Sequence, residues 1–226
     1  MMCGRFTLYV SYSELVERFA AAGSAFPESD YAASYNIAPT QQVVAVINDG
    51  SKNRLGHLKW GLIPRWADDP KIGSRLINAR AETVAEKPSF REAFRKRRCL
   101  IPADSFYEWQ KTDNGKKPMR IRLKGEEVFA LAGLWETWVF PEGERIHSCT
   151  AITTKPNSLM AGIHDRMPVI LPREREQEWL DPENRDADAL LALLAPYDAG
   201  RMEAYEVSSA VNSPKNNSPE LIVPFC

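Results

Sequence analysis

Residues 99–123 read CLIPADSFYEWQKTDNGKKPMRIRL, and this stretch decides the fold. Strand-like runs at 99–101, 106–109 and 119–123 are rich in β-branched and aromatic residues, and Asn114-Gly115 marks a turn between the last two. Outward from there the pattern repeats. Runs at 128–135 and 149–154 follow, while 43–47 and 55–60 precede, parted by Asn48-Asp49-Gly50. Helical signals are fewer. Ser11-Tyr-Ser-Glu14 is a capping box leading into Leu15, Val16, Phe19 and Ala20, with Gly23 as a stop. Pro88 opens a basic helix through Arg98. A short helix is expected at 156–163, a strand at 168–171, helices at 174–180 and 187–194, and a last strand at 204–208. Loop signals fill 27–40, and 61–86 reads as irregular, with Pro64, Pro70 and Gly73. Short, numerous strands with helices at the margins predict an α+β fold. The expectation is a single domain spanning 1–226, with a β-barrel-like core of short, mostly antiparallel strands and peripheral helices.

The bulk numbers fit that reading. The 226 residues are 44% hydrophobic and 26% charged, enough for a real core. A net charge of −1 gives no whole-molecule field toward nucleic acid, so any such contact needs a local basic patch. No apolar run approaches the ~18–20 residues of a membrane-spanning helix, and the opening MMCGRF lacks the basic and apolar regions of a secretory signal. Cys3, Cys99, Cys149 and Cys226 lack Cys-x-x-Cys spacing, so neither a metal site nor a disulfide framework is expected, and no cofactor is implied. These features predict a soluble, reduced, cytoplasmic protein, by default a monomer.

Cys3 stands out. If the residues before it are removed, its α-amine has an ordinary pKa of ~7.7–8.0, so roughly a third is neutral at pH ~7.4. Its thiol is ordinarily near ~8.5 and is easily lowered by nearby cations, Arg5 being the candidate here. A 1,2-aminothiol can do what no single side chain can: the amine condenses with an aldehyde to an imine, and the thiolate closes it to a thiazolidine. Gly4 removes a Cβ beside the reacting centre. Met1-Met2 precede Cys3, and if both persist there is no aminothiol.

Further segments join Cys3-Gly-Arg-Phe6: YNIAPT at 35–40, WGLIPRW at 60–66, INARAET at 77–83, PADSFYEW at 102–109 and HDRMP at 164–168. In order and spacing, from residue 3 to about 216, they resemble the SRAP (SOS-response-associated peptidase) family. The resemblance implies one domain with a barrel-like core that recognises abasic sites in single-stranded DNA. It further implies self-removal of the initiator methionine, a thiazolidine link to the ring-opened sugar, and association with the nucleoid after damage. Carried over by motif, Cys3 is the nucleophile, surrounded by Asn78, Glu108 and His164. Their chemistry suits those places. Asn78 offers a neutral donor and acceptor. Glu108, between Tyr107 and Trp109, is expected to have a carboxyl raised by aromatic neighbours toward proton-shuttling range. Imidazole, the side chain of His164, ordinarily titrates near neutrality. Plainer roles stay open: Asn78 as a turn cap, Glu108 as half of an ion pair with Arg80 or Arg166, His164 as a structural imidazole. His57 and His147 read as surface or packing residues.

Single-stranded DNA calls for cations along a backbone and aromatic faces for bases. Trp60, Arg65, Trp66 and Arg80 supply both, with Lys71 and Arg75 between them, Arg5 beside Cys3, and Pro39-Thr40 as a nucleotide-contacting loop. The densest basic run, Arg91 to Arg98, reads as a solvated helix face rather than a phosphate track. Three rivals remain. An N-terminal-nucleophile amidohydrolase would show a four-layer αββα sandwich, a lesion-binding module would have an inert Cys3, and a peptidase acting on other proteins would need machinery not evident here.

Overall fold

The computed structural model describes residues 3–125 and 128–225. Met1 and Met2, on whose removal the aminothiol depends, lie outside the described residues. Five strands close into a ring. Arg98–Ala103 pairs with Phe129–Val139, which pairs with Arg145–Thr154. That strand runs parallel to Asn53–Trp60, which pairs with Gln42–Asn48, and Val46 opposite Leu100 returns the ring to its start. The barrel is otherwise antiparallel, and closure removes the exposed edges that a flat sheet would present. Phe129 to Leu134 are buried without a break, which is why they read in sequence as an apolar run rather than an alternation.

A second sheet lies against the barrel, in the order Met202–Glu206, Gly115–Leu123, Ser105–Thr112, Phe6–Leu8, Ser34–Ile37. The N-terminal strand is therefore interior to its sheet, with Phe6 opposite Phe106 on one side and Ile37 on the other. Phe6 also meets Trp60 edge-on at 5.2 Å, joining sheet to barrel. Placing the third residue of the chain beside the core is a consequence of this pairing. The barrel and its companion sheet, with helices at the margins, are not an αββα sandwich, and no helix is long and apolar enough to cross a membrane.

The capping box forms as expected: Ser11 accepts from the Glu14 N–H and the Glu14 carboxylate accepts from the Ser11 N–H, opening a helix at Tyr12–Arg18. That helix stops at Phe19 and left-handed Ala20 (φ 46°), short of Gly23, because Ala21–Ser24 leaves to pair with Asn53–Trp60. The 156–163 helix is only a 3-10 turn at Met160–Gly162, and the 168–171 strand is two bridges flanking Val169. Within the segments read as loop or irregular lie Ser34–Ile37 and Asn78–Arg80, strands too short to carry a period.

The basic helix spans only Arg91–Lys96, and Arg98 has joined the barrel. There it is 4% exposed and donates to the carbonyls of Phe94, Arg95, Trp179, Asp181 and Asn184. Arg97 pairs with Glu136 at 2.7 Å and Lys96 with Glu92 at 2.9 Å. The run is thus part solvated face and part internal tie, and Arg98 corrects the expectation that it lies on a helix.

Gly61 turns the chain out of the barrel with φ 134°, where a Cβ would lie 2.6 Å from the Gly73 carbonyl oxygen. Only glycine permits that approach, and it sets the direction in which Leu62 to Trp66 leave.

Candidate functional site

Cys3 is 1% exposed, and its carbonyl accepts a hydrogen bond from Asn78 Nδ2 at 2.9 Å. Asn78 reaches it because Asn78–Arg80 adds in parallel to Arg145–Thr154, with Asn78 opposite Ala151. Ala79 is buried between Asn78 and exposed Arg80, so the two polar side chains share the outward face of this short strand.

Glu108 arrives from Ser105–Thr112. Alternation places Phe106 in the main core and Tyr107 in a separate cluster with Val207, Val211 and Leu221, against which Trp109 packs. Glu108 therefore points away from its aromatic neighbours and is 2% exposed. Burial pushes its carboxyl up to about 8, with Asp165 raising it further and the Trp109 N–H opposing. The expected direction holds, but its cause is desolvation between the sheets rather than the flanking rings. Glu108 makes no ion pair with Arg80 or Arg166. Arg166 instead grips Glu82 at 2.6 and 2.9 Å and the Thr153 carbonyl at 2.7 Å. Glu108 Oε1 has no hydrogen-bond partner among the described residues.

His164 follows the Met160–Gly162 turn, its N–H bonded to the Met160 carbonyl at 2.8 Å. Nε2 lies 4.0 Å from Glu108 Oε2, beyond direct hydrogen bonding but close enough to share a bound group. Nδ1 accepts the Arg166 N–H at 3.1 Å, a tautomer that puts the proton on Nε2, facing Glu108. Gln110, on the same face of its strand as Glu108, donates to the Gly162 carbonyl at 2.8 Å and ties the two segments together. Cys3, Asn78, Glu108 and His164 thus converge from four separate elements.

Arg5 does not sit where it would lower the Cys3 thiol. Its guanidinium donates to Asn36 Oδ1 at 2.7 Å and the Val211 carbonyl at 2.6 Å, and lies over Trp109. Burial and the neighbouring Glu108 push the thiol well above its ordinary value, and the Arg5 backbone only partly opposes them. Residue type suggested an activated thiolate; desolvation decides against it in this form of the chain.

The other nominated residues divide. Trp60 is 1% exposed, with its indole N–H bonded to the Ile77 carbonyl at 2.8 Å, so it is a core residue without a face for a base. Trp66 is 58% exposed, and its indole N–H reaches the Pro88 carbonyl at 3.4 Å. Arg65 is exposed and held by buried Glu136 at 2.7 Å; Arg80, Lys71 and Arg75 are also exposed. Pro39 is half-buried. Exposed Thr40 has a φ of 73°, held by its N–H to the Trp60 carbonyl at 2.8 Å, a costly conformation for a β-branched residue. His57 stacks on Phe26 at 3.9 Å, a packing role, and exposed His147 bonds Thr137 at 2.9 Å on the surface.

Sequence reasoning assigned no role to Gln110, Asn36 or Asp165. Alternation from Glu108 points to Gln110. Asn36, by contrast, is a buried hub, donating to the carbonyls of Val211, Ser213 and Asn216, which no local signal marks. No group of three or more His, Cys, Asp or Glu among the described residues is placed to hold a metal ion.

Known proteins share this architecture. A protein from Bacteroides thetaiotaomicron superimposes with a TM-score of 0.89 at 28% identity, covering 99% of this chain and all of its own. One from Bordetella bronchiseptica gives 0.76 at 27%, covering 91% of this chain and 100% of its own. In sequence, the abasic site processing protein YoqW of Bacillus subtilis is 61% identical over 98% of this chain and 99% of its own length. Its compatriot YoaM, also called an abasic site processing protein, is 57% identical over 98% and 97%. The abasic site processing protein HMCES of Xenopus tropicalis is 32% identical over 84% of this chain, which matches 65% of the frog protein. Residues 2–214 match the profile of one family, so the chain belongs to the SOS response associated peptidase (SRAP) family.

Proposed function

We propose that this protein processes abasic sites, acting as a monomer on single-stranded DNA in the cytoplasm and capturing the ring-opened sugar through Cys3. The observation that carries the reading is the convergence of Asn78, Glu108 and His164 on the third residue of the chain, Cys3. The relatives named for abasic-site processing support the substrate. Once the preceding residues are removed, with the ionised minority of Glu108 activating water for that cleavage, the freed amine adds to the sugar aldehyde. Loss of water gives an imine, and addition of sulfur to the imine carbon closes a thiazolidine. The sum is aldehyde plus aminothiol to thiazolidine plus water. Asn78 holds the Cys3 carbonyl and so fixes the direction of the amine. Glu108, protonated at neutral pH, donates to the departing oxygen and can accept a proton back from the amine. His164 Nε2–H serves as donor while the sugar ring opens.

The DNA path in this reading runs past Trp66, Arg65 and Arg80, with left-handed Thr40 shaping the loop beside it. Such strain is maintained where a surrounding site requires it.

Intact mass spectrometry, before and after incubation with uracil-glycosylase-treated single-stranded DNA, tests the chemistry. The expected result is a chain starting at Cys3 and a covalent DNA adduct absent from Cys3→Ala. A processed chain that forms no adduct would sink the reading.

The Cys3→Ala background also isolates binding. There Arg80→Ala is expected to lower the slope of log K against log salt by about 0.7, one phosphate contact on a single strand. Lys96→Ala should leave the slope unchanged, since Lys96 pairs with Glu92 on a solvated face. Equal slopes in all three proteins would remove Arg80 from the DNA path.

A further inference from the structure

His164 Nδ1 has two neighbours that want opposite things from it. The Arg166 N–H, at 3.1 Å, donates to an unprotonated Nδ1. Asp165 Oδ1, at 3.0 Å, suits only a protonated one, because a carboxylate beside a nitrogen lone pair is repelled and beside an N–H is bound. The ring thus has a ready partner in each state, one backbone dipole and one full charge. On its other side Nε2 faces buried Glu108 at 4.0 Å. We propose that Asp165 is a positioning residue for the reaction of Cys3: its carboxylate receives the Nδ1 proton when His164 becomes an imidazolium, and so fixes the ring for proton exchange with Glu108.

The proposal rests on the reading of Cys3 as the nucleophile. Its proton balance is simple. Solvent supplies the second proton to Nδ1 on the exposed Asp165 side. Nε2–H is the proton given to and regained from the bound group that lies between His164 and Glu108. Glu108 passes its own proton to the leaving oxygen and recovers one from the amine. No other reagent is needed. Among the described residues the titratable groups facing the pair are few. Cys3, with the α-amine that the processed chain carries, adjoins Glu108 from the N-terminal segment, Glu108 comes from Ser105–Thr112, and Asp165 follows His164 in the chain. The amine titrates alike in wild type and Asp165 variants. Arg166, next along, turns its guanidinium to Glu82 and Thr153, and Gln110, tied to Gly162, does not titrate. The Asp165 charge reaches Glu108 as well, raising its carboxyl beyond what burial does. Loss of that single negative charge therefore moves Glu108 toward proton release at lower pH. Asp165 is itself 89% exposed on its side chain, so salt screens the effect.

The test is single-turnover adduct formation at saturating abasic single-stranded DNA, from pH 6 to 9, for wild type, Asp165→Asn and Asp165→Glu. Saturation removes any gain in DNA affinity from the lost negative charge. The expected result is an Asp165→Asn rate equal to wild type at pH 6 and about two- to five-fold lower at pH 8–8.5. Asp165→Glu should recover most of the difference, and ~1 M salt should shrink it. A mutant that follows the wild-type curve at every pH, or falls by one factor at all pH values, overturns the proposal. A wild type that forms no adduct would instead overturn the reading of Cys3, which keeps the two failures apart.

Discussion

Glu108→Gln is expected to melt at a higher temperature than wild type at pH 9, to match it closely at pH 4, and to form the DNA adduct at least a hundred-fold more slowly. Glu108 is 2% exposed and its carboxyl is raised to about 8. A carboxyl raised on folding is held more tightly by its proton in the native state than in the unfolded one. The stability it contributes is present below its ordinary value near ~4.3 and is lost as pH rises through that value toward about 8. Above pH 8 the folded protein has to bury a charge. Glutamine keeps the shape and cannot ionise, so the mutant avoids a cost on the order of 2–4 kcal/mol, or roughly 5–10 °C in a chain of this size. At pH 4 the folded carboxyl is neutral and the unfolded one mostly so, and the melting curves should nearly coincide. The loss of adduct formation follows from removing a general acid and base, ordinarily about 10²–10⁴ in rate. Calorimetry at the two pH values and a gel assay for the adduct check both halves. Identical melting at pH 9 would show that Glu108 is not a buried acid. Faster melting with intact chemistry would make it structural alone. Asp104, also buried and raised to about 6, is common to both proteins and cancels in the comparison.

The second large effect lies away from the chemistry. Arg98→Met retains the apolar stem but leaves the carbonyls of Phe94, Arg95, Trp179, Asp181 and Asn184 without their donor. Burial lowers the arginine from its ordinary value while the Asp181 charge supports it, and the cation is retained because several acceptors surround it. Removing the donor from buried acceptors costs the desolvation of each, in sum about 3–5 kcal/mol, and lowers the melting temperature by roughly 10 °C. Thermal unfolding at pH 7 reads the effect directly. Adduct formation per folded molecule should be unchanged. A shift of less than ~2 °C would mean that water replaces the guanidinium without loss.

Much of this molecule is legible residue by residue. The strands 43–47, 55–60 and 106–109 were readable because alternation and turn residues are local signals, and the capping box because Ser11 and Glu14 are three apart. At the candidate site the motifs name Cys3, Asn78, Glu108 and His164, and the fold brings these four together. The strands at Phe6–Leu8, Ser34–Ile37 and Asn78–Arg80 were not, since three or four residues hold no period and form only because partners distant in sequence present open hydrogen bonds.

What the sequence determined on its own is thus the pattern and the residue types available: an α+β chain rich in short strands, with a cysteine near its start and three polar residues, Asn78, Glu108 and His164, in matching motifs. Tertiary structure alone decided how each group behaves. It buried Trp60, which had looked like a stacking platform, drew Arg98 off its helix, turned Arg5 toward Asn36 and away from the thiol, and raised rather than lowered Cys3. The reason is physical. Desolvation and the choice of hydrogen-bond partner depend on everything within a few ångströms, and in a closed barrel with a second sheet against it most of those neighbours are far away along the chain.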